Sequence, residues 1–242
     1  MGMIQNFVSD TEKFTLDGVS SDTLGLFCDY LAPMPMAEQL YSTYNTGADE
    51  QLTTPDRVFN DVRYTIRFYT FLTDDFNDAA IKAFCFGKSQ LTLSKFPDYY
   101  FKIRRIQLQA SDSTGYGKRV DYTLTLYLAP FRYVVDNPWI QLELPDDNYI
   151  INTHTRYSKP LFEITGSGIC TITVQGKAFD IYDVDSNHPV VIDSERHITY
   201  SGNTLWTGKT DGAYPLLNIG DNSLGWNNNV TGIKYKGNWR DL

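Results

Sequence analysis

The sequence predicts a mainly β protein of two domains, the first of which carries a single α-helix. Three observations lead there. Stretches such as "VRYTIRFYTFL" and "VDYTLTLYLAP" alternate apolar and polar residues with a period of two, the signature of strands with one buried face. Only "TDDFNDAAIKAFCFGKS" spaces its apolar residues as a helix does. Finally, Pro130, Pro138 and Pro145 cluster between a half built of long strands and a half of short strands separated by Gly, Asn and Asp turns. At 242 residues the chain can bury roughly 70–75% of the surface its unfolded form exposes, so it needs no staples.

The elements follow in order. From Val62 to Leu72 the alternation puts Tyr64, Ile66 and Phe68 on one face. The next segment sets Phe76, Ala80 and Phe84 four apart, with Ile81 alongside. With Asp74 or Asp75 as its cap and Gly87 as its stop, it predicts a helix from Asp75 to Phe86, about three turns long. "DYYFKIRRIQLQAS" reads as a strand, and "STGYGKR" turns the chain back into the strand through Tyr122, Leu124, Leu126 and Leu128. The proline cluster places a boundary near Asn137, giving domains 1–137 and 138–242. Beyond it, "GICTITVQGKAFDIYD" reads as a tight hairpin turning at "QGK". The second half is therefore expected to be a small β-sandwich or jelly roll. No internal repeat, low-complexity tract or long linker is visible.

Composition narrows the function. Hydrophobic content of 42% and charged content of 21% are those of an ordinary globular protein, and an aromatic content of 14% suits strands. A net charge of −8 argues against a sequence-independent nucleic-acid binder, whose affinity would come from neutralising phosphate. No apolar run approaches the roughly 20 residues that span a bilayer, so no membrane insertion is expected. "MGMIQNFVSDTEKF" lacks the basic and apolar blocks of a signal peptide, and Asn6 stands where a myristoylation motif at Gly2 wants Ser or Thr. The sequon Asn229-Val230-Thr231 is then expected to go unglycosylated. Cys28, Cys85 and Cys170 read as small buried apolar side chains in a reducing compartment.

The densest polar stretch, "DVDSNHPVVIDSERHITY", is the candidate for chemistry. Asp183, Asp185 and Asn187 begin like a calcium loop, but His188 and Ser194 occupy the positions that need Gly and Glu. The spacing of His188 and His197 matches no common zinc motif. Placed on a strand, Asp193, Glu195 and His197 would share one face, a polar edge that deters stray pairing. A general acid needs a raised pKa from burial, which such a face does not supply. "TGSGIC" is one residue short of a nucleophile elbow, and "GYGK" lacks the span of a phosphate loop. No nucleophile has a recognisable base, so the expectation is a protein without catalytic residues, metal or cofactor. A carbohydrate-binding reading rests on Trp206, Trp226 and Trp239, which as exposed platforms would stack on sugar rings of a host cell wall.

The order of motifs brings a resemblance. "PLFEITGSGICTITVQGKAFDI" resembles the C-terminal domain of the distal tail proteins of long-tailed, non-contractile phages, through Pro160, Ile164, Gly166, Gly168, Ile172, Val174 and the Gln175-Gly176 turn. "VVIDSERHITY" is similar to that family's IDSE strand at Ile192 to Glu195. "YPLLNIGDNSLGW" (Pro215, Leu217, Gly220, Asn222) and the ending at Trp239 and Arg240 follow in the same order. In the first half, Ser21, Gly25 and Leu26, then Pro97, Asp98, Tyr99 and Tyr100, and "YTLTLYLAPFRY" extend the likeness over nearly the full chain. One departure is the loop "YNTGADEQL", which stands where the family has a "PGRDG"-like loop.

The resemblance implies an N-terminal β-sandwich with one α-helix and a C-terminal galectin-like β-sandwich. It implies a homo-hexameric ring at the virion tail tip, made in the bacterial host cytoplasm. Such a ring joins the tail tube protein to a tip protein or tail-associated lysin and can carry receptor-binding proteins at its rim. An acidic channel would let DNA pass without binding it. At this length there is no room for an inserted carbohydrate module, so the compact scaffolding form is expected. The resemblance gives Asp193, Glu195 and His197 no catalytic role.

Overall fold

A computed structural model describes residues 12–28, 30–45, 51–72, 76–111 and 119–242. The chain divides into two compact units, residues 1–135 with Leu242, and residues 136–241. Each encloses its own apolar cluster. Among the described residues no helix is long and apolar enough to cross a membrane.

The first unit contains β1 (Phe14–Leu16), β2 (Val19–Ser20), β3 (Gln39–Asn45), β4 (Gln51–Phe59), β5 (Val62–Phe71), α1 (Asp78–Cys85), β6 (Gln90–Leu93), β7 (Phe96–Ser111) and β8 (Arg119–Val134). β3 and β4 pair with each other, while the other strands run antiparallel in the order β2-β1-β6-β7-β8-β5. Alternation decides which side chains go in. β5 buries Val62, Tyr64, Ile66 and Phe68, and β8 buries Tyr122, Leu124, Leu126 and Leu128. β7 turns one sheet into a sandwich. Its register shifts between Phe101 and Ile103 and again between Ile103 and Arg105, and such bulges bend and twist a strand. The β1–β6 layer thereby faces the β5–β8 layer. The Phe14 ring lies 5.5 Å from that of Phe68, although β1 and β5 are not neighbours in the sheet.

The helix closes this core with Ile81, Phe84 and Cys85, and the Phe84 ring sits 5.8 Å from Phe14. It starts later and runs shorter than predicted, at eight residues or about two turns. Asn77, extended at φ −133°, is the cap, its Oδ1 accepting the Ala80 N–H at 3.0 Å. Phe76 therefore precedes the helix and packs against the core from outside it. Asp74 and Asp75, the predicted caps, lie outside the described residues. Gly87 does supply the left-handed residue beyond the end, at φ 72°.

The second unit contains β9 (Ile140–Gln141), β10 (Tyr149–Asn152), β11 (Leu161–Gly166), β12 (Gly168–Val174), β13 (Lys177–Val184), β14 (Val190–Asp193), β15 (Ile198–Ser201), β16 (Thr204–Leu205), β17 (Thr210–Gly212), β18 (Gly220–Trp226) and β19 (Val230–Lys236). These form two antiparallel sheets, β10-β18-β12-β13-β17 and β16-β15-β14-β11-β19-β9. Ile172, Phe179, Ile181 and Leu224 of the first meet Phe162, Ile164, Ile192 and Ile233 of the second in one cluster. The β12–β13 hairpin turns on Gln175 (φ 50°) and Gly176 (φ 73°), a two-residue turn whose twist suits the flanking strands. Gly166 is required for another reason. A Cβ there would lie 2.3 Å from the Asn229 carbonyl oxygen and 2.5 Å from Cys170 Sγ. The protein is thus mainly β, as the sequence predicted.

Candidate functional site

The polar stretch after β13 does not form an edge strand with one carboxylate face. β14 ends at Asp193, and residues 194–197 are a turn before β15 begins at Ile198. The cause is local. Asp193 Oδ1 accepts the N–H groups of Glu195 and Arg196, each at 3.0 Å, and His197 takes a left-handed φ of 54°. Asp193 is buried as a cap inside the unit, Ser194 is fully buried beside it, and the His197 ring stacks on Tyr214 at 5.0 Å. Of the side chains read as one face, Asp193 caps the turn and His197 stacks on Tyr214.

Asp185, Asn187 and His188 form a second turn, just after Asp183 in β13. Asp185 Oδ1 accepts the Asn187 N–H at 3.1 Å, its Oδ2 meets His188 Nδ1 at 2.8 Å, and the His188 N–H returns to the Asp185 carbonyl at 2.9 Å. The Asn187 N–H and the His188 ring hold the Asp185 carboxyl below its ordinary pKa. Asp183 lies apart, paired to Lys209 at 3.2 Å. Among the described residues, no group of three or more His, Cys, Asp or Glu side chains is placed to hold a metal ion. The cysteines are buried and form no disulfide, and burial pushes the Cys85 thiol up to about 12.

The tryptophans pack inward. Trp206 donates its Nε1–H to the Tyr182 carbonyl at 3.0 Å, and Trp206, Trp226 and Trp239 all pack against the second core while half-buried. The Trp239 ring also stacks on His154 at 5.7 Å. His154 Nδ1 and the Thr155 N–H in turn hold Asp241, at 3.2 and 2.9 Å. Burial pushes the Asp241 carboxyl up, but bonds from Thr155 and His154 outweigh it and leave the pKa lowered. Together with the 2.7 Å bond from Arg240 Nε to the Tyr157 carbonyl, these contacts clasp the end of the second unit.

The extended surface of the first unit is the outward face of β7, β8 and β5. Its rows are Arg105–Tyr127–Arg63, Gln107–Thr125–Thr65 and Gln109–Thr123–Arg67. The Arg105 guanidinium lies 5.2 Å from the Tyr127 ring centre, and Arg119 sits 3.7 Å from that of Tyr69 while bonding Asp121 at 2.7 Å. A groove of about 670 Å³ runs beside β5, lined by Tyr30, Ala32, Thr65, Arg67 and Tyr69 among others. The same alternation that marks the core positions could have located this face, because its residues are the ones skipped. What the face presents is geometry for contact: a broad polar surface beside a strand edge.

No protein-family profile matches the chain, and no curated protein matches it significantly. Among solved structures it is similar to SPP1 Dit, described as a paradigm of the hub adsorption apparatus in phages that infect Gram-positive bacteria. The similarity has a TM-score of 0.71 at 11% identity and covers 96% of this chain and 100% of the other. With both units inside the matched span, the chain has the fold of a phage distal tail protein.

Proposed function

We propose that this chain is a structural protein of a phage tail tip. Six copies form a hub ring that joins the tail tube to the tip protein or tail-associated lysin, carries receptor-binding proteins at its rim and leaves a channel for DNA. The observation that carries this reading is the match of both units to SPP1 Dit, over 96% of this chain and 100% of the other. The polar clusters support it as well, since Asp185 and Asp193 spend their carboxylates on the N–H groups of their own turns. The inward packing of Trp206, Trp226 and Trp239 favours a scaffold over the carbohydrate-binding alternative.

Light scattering on the purified protein tests the reading. The expected result is a particle of six copies with no measurable affinity for duplex DNA at physiological salt. A strictly monomeric protein that binds a bacterial wall polysaccharide through Trp206 or Trp226 would replace the hub with a lectin-like module.

A further inference from the structure

In an Asp-Gly pair the aspartate carboxyl can close a ring on its own backbone, because glycine puts no side chain in the way of the next nitrogen. The chain has two such pairs, Asp17-Gly18 and Asp211-Gly212. Both are exposed, and both glycines have a left-handed φ, 83° at Gly18 and 104° at Gly212. What separates them is the direction of the carboxylate. Asp17 Oδ1 is carried across toward β6, where it accepts the Ser89 N–H at 3.0 Å, the Ser89 hydroxyl at 2.9 Å and the Gln90 N–H at 2.8 Å. Asp211 Oδ1 instead accepts the N–H of Gly212, its own successor, at 2.8 Å. That bond sets the Gly212 nitrogen beside Cγ of Asp211, the arrangement from which a five-membered ring closes. The surroundings favour closure. Asp180 of β13 stands directly opposite Asp211, so two carboxylates share a face, and losing one charge relieves the opposition. Packing also fixes the glycine, since a Cβ at 212 would lie 2.4 Å from the Ala178 carbonyl oxygen. Finally, β17 has three residues and ends its sheet, so little ladder resists a change there.

We propose that Asp211-Gly212 is a site of spontaneous covalent modification, at which Asp211 becomes isoaspartate. The Gly212 nitrogen attacks Asp211 Cγ and forms a new N–C bond. A carboxyl oxygen leaves as water, carrying the amide proton and one from solvent. The resulting cyclic imide is uncharged. Water then reopens it in one of two ways. Cleavage between the nitrogen and Cγ restores aspartate. Cleavage between the nitrogen and the main-chain carbonyl carbon leaves the chain running through Cγ, one methylene longer, with a free α-carboxylate. Nothing is oxidised, and water is the sole co-reactant, released once and taken up once. The longer backbone breaks the register that sets Asp211 opposite Asp180. The freed α-carboxylate is the group that methyltransferases specific for isoaspartate esterify, so that class of enzyme is the one that recognises the product.

Ageing the folded protein in warm neutral buffer, then labelling it with such a methyltransferase and a radioactive methyl donor, tests this. Trypsin puts the two pairs on separate peptides, 14–57 and 210–234. Methyl label should enter peptide 210–234 about tenfold faster than 14–57, because only Asp211 is held against its glycine nitrogen. In urea the two rates should converge, since the fold no longer aims either carboxylate. Asp211→Glu, which would have to close a larger ring, should remove the label from 210–234 and leave the circular dichroism unchanged. Asp211→Asn, which closes the same ring with ammonia leaving, should speed its entry. Label that enters 14–57 as fast as 210–234 in the folded protein, or that persists in 210–234 after Asp211→Glu, overturns the site. So does a folded protein that gains no label in either peptide.

Discussion

The two units treat their sheet edges differently. The second unit ends its sheets in β9 and β16 of two residues, β17 of three and β10 of four. Among the described residues, the first leaves Arg63 and Thr65 of the ten-residue β5 and the far half of the sixteen-residue β7 without a strand partner on one side. Short edges deter pairing between molecules, and long ones invite it. The comparison teaches that a β unit can be finished by itself or built to be completed by a neighbour. The second unit ends its sheets in short strands, and the first keeps a long one at its edge.

The comparison can be broken at several points, beginning with the cores. Phe68→Ala in the first unit and Phe162→Ala in the second should each cost about 3–5 kcal/mol, since both rings are buried. If the units are separate modules, calorimetry will show each substitution lowering one transition and sparing the other. A single transition that moves equally for both would merge them into one cooperative body.

Gly166→Ala should cost about 1–3 kcal/mol, because the added methyl must displace the Asn229 backbone or Cys170. Urea unfolding would measure it, and an effect near zero would show that the two sheets of the second unit are looser than their spacing suggests. Asp193→Ala should cost about 1–2 kcal/mol by stripping the acceptor from two turn N–H groups, while Asp193→Asn, which keeps an oxygen there, should cost less. Equal losses would mean that charge and not hydrogen bonding holds the turn.

A smaller effect concerns the clasp. The Asp241 pKa in the folded chain lies below its ordinary value of 3.8. Its contribution is therefore fully present above about 4 and is lost as pH falls through the lower folded value. Acid melts of wild type and Asp241→Asn should differ by a constant amount from pH 5 upward and converge below pH 4. A gap that opens only at acid pH would reverse the sign. Smallest of all, His188→Ala in the exposed turn should stay within roughly 0.5 kcal/mol of wild type, as surface changes usually do.

Some of this was legible in the residues. The alternation in "VRYTIRFYTFL" named Tyr64, Ile66 and Phe68 as core before any tertiary contact was known, and all three are buried. The "QGK" turn was equally plain, because few residues besides Gly tolerate its left-handed backbone. The helix was placed but its start was not, since Asn77 is as good a cap as Asp75 and apolar spacing alone does not choose between them. "DSERH" misled for a related reason. Alternating polar residues look the same on a strand face and in a turn. Only the pairing that ends β14 at Asp193 shows which one this is.

The sequence by itself determined which side chains turn inward, because burial of apolar surface leaves its period in the order of residues. It also carried, in its order of short motifs, the likeness that the structural comparison supports at the level of fold. What only the tertiary structure decided is where pairing stops. Every residue but proline offers the same backbone N–H and C=O, so an open edge has no residue signature. It appears only once the rest of the sheet has found its partners.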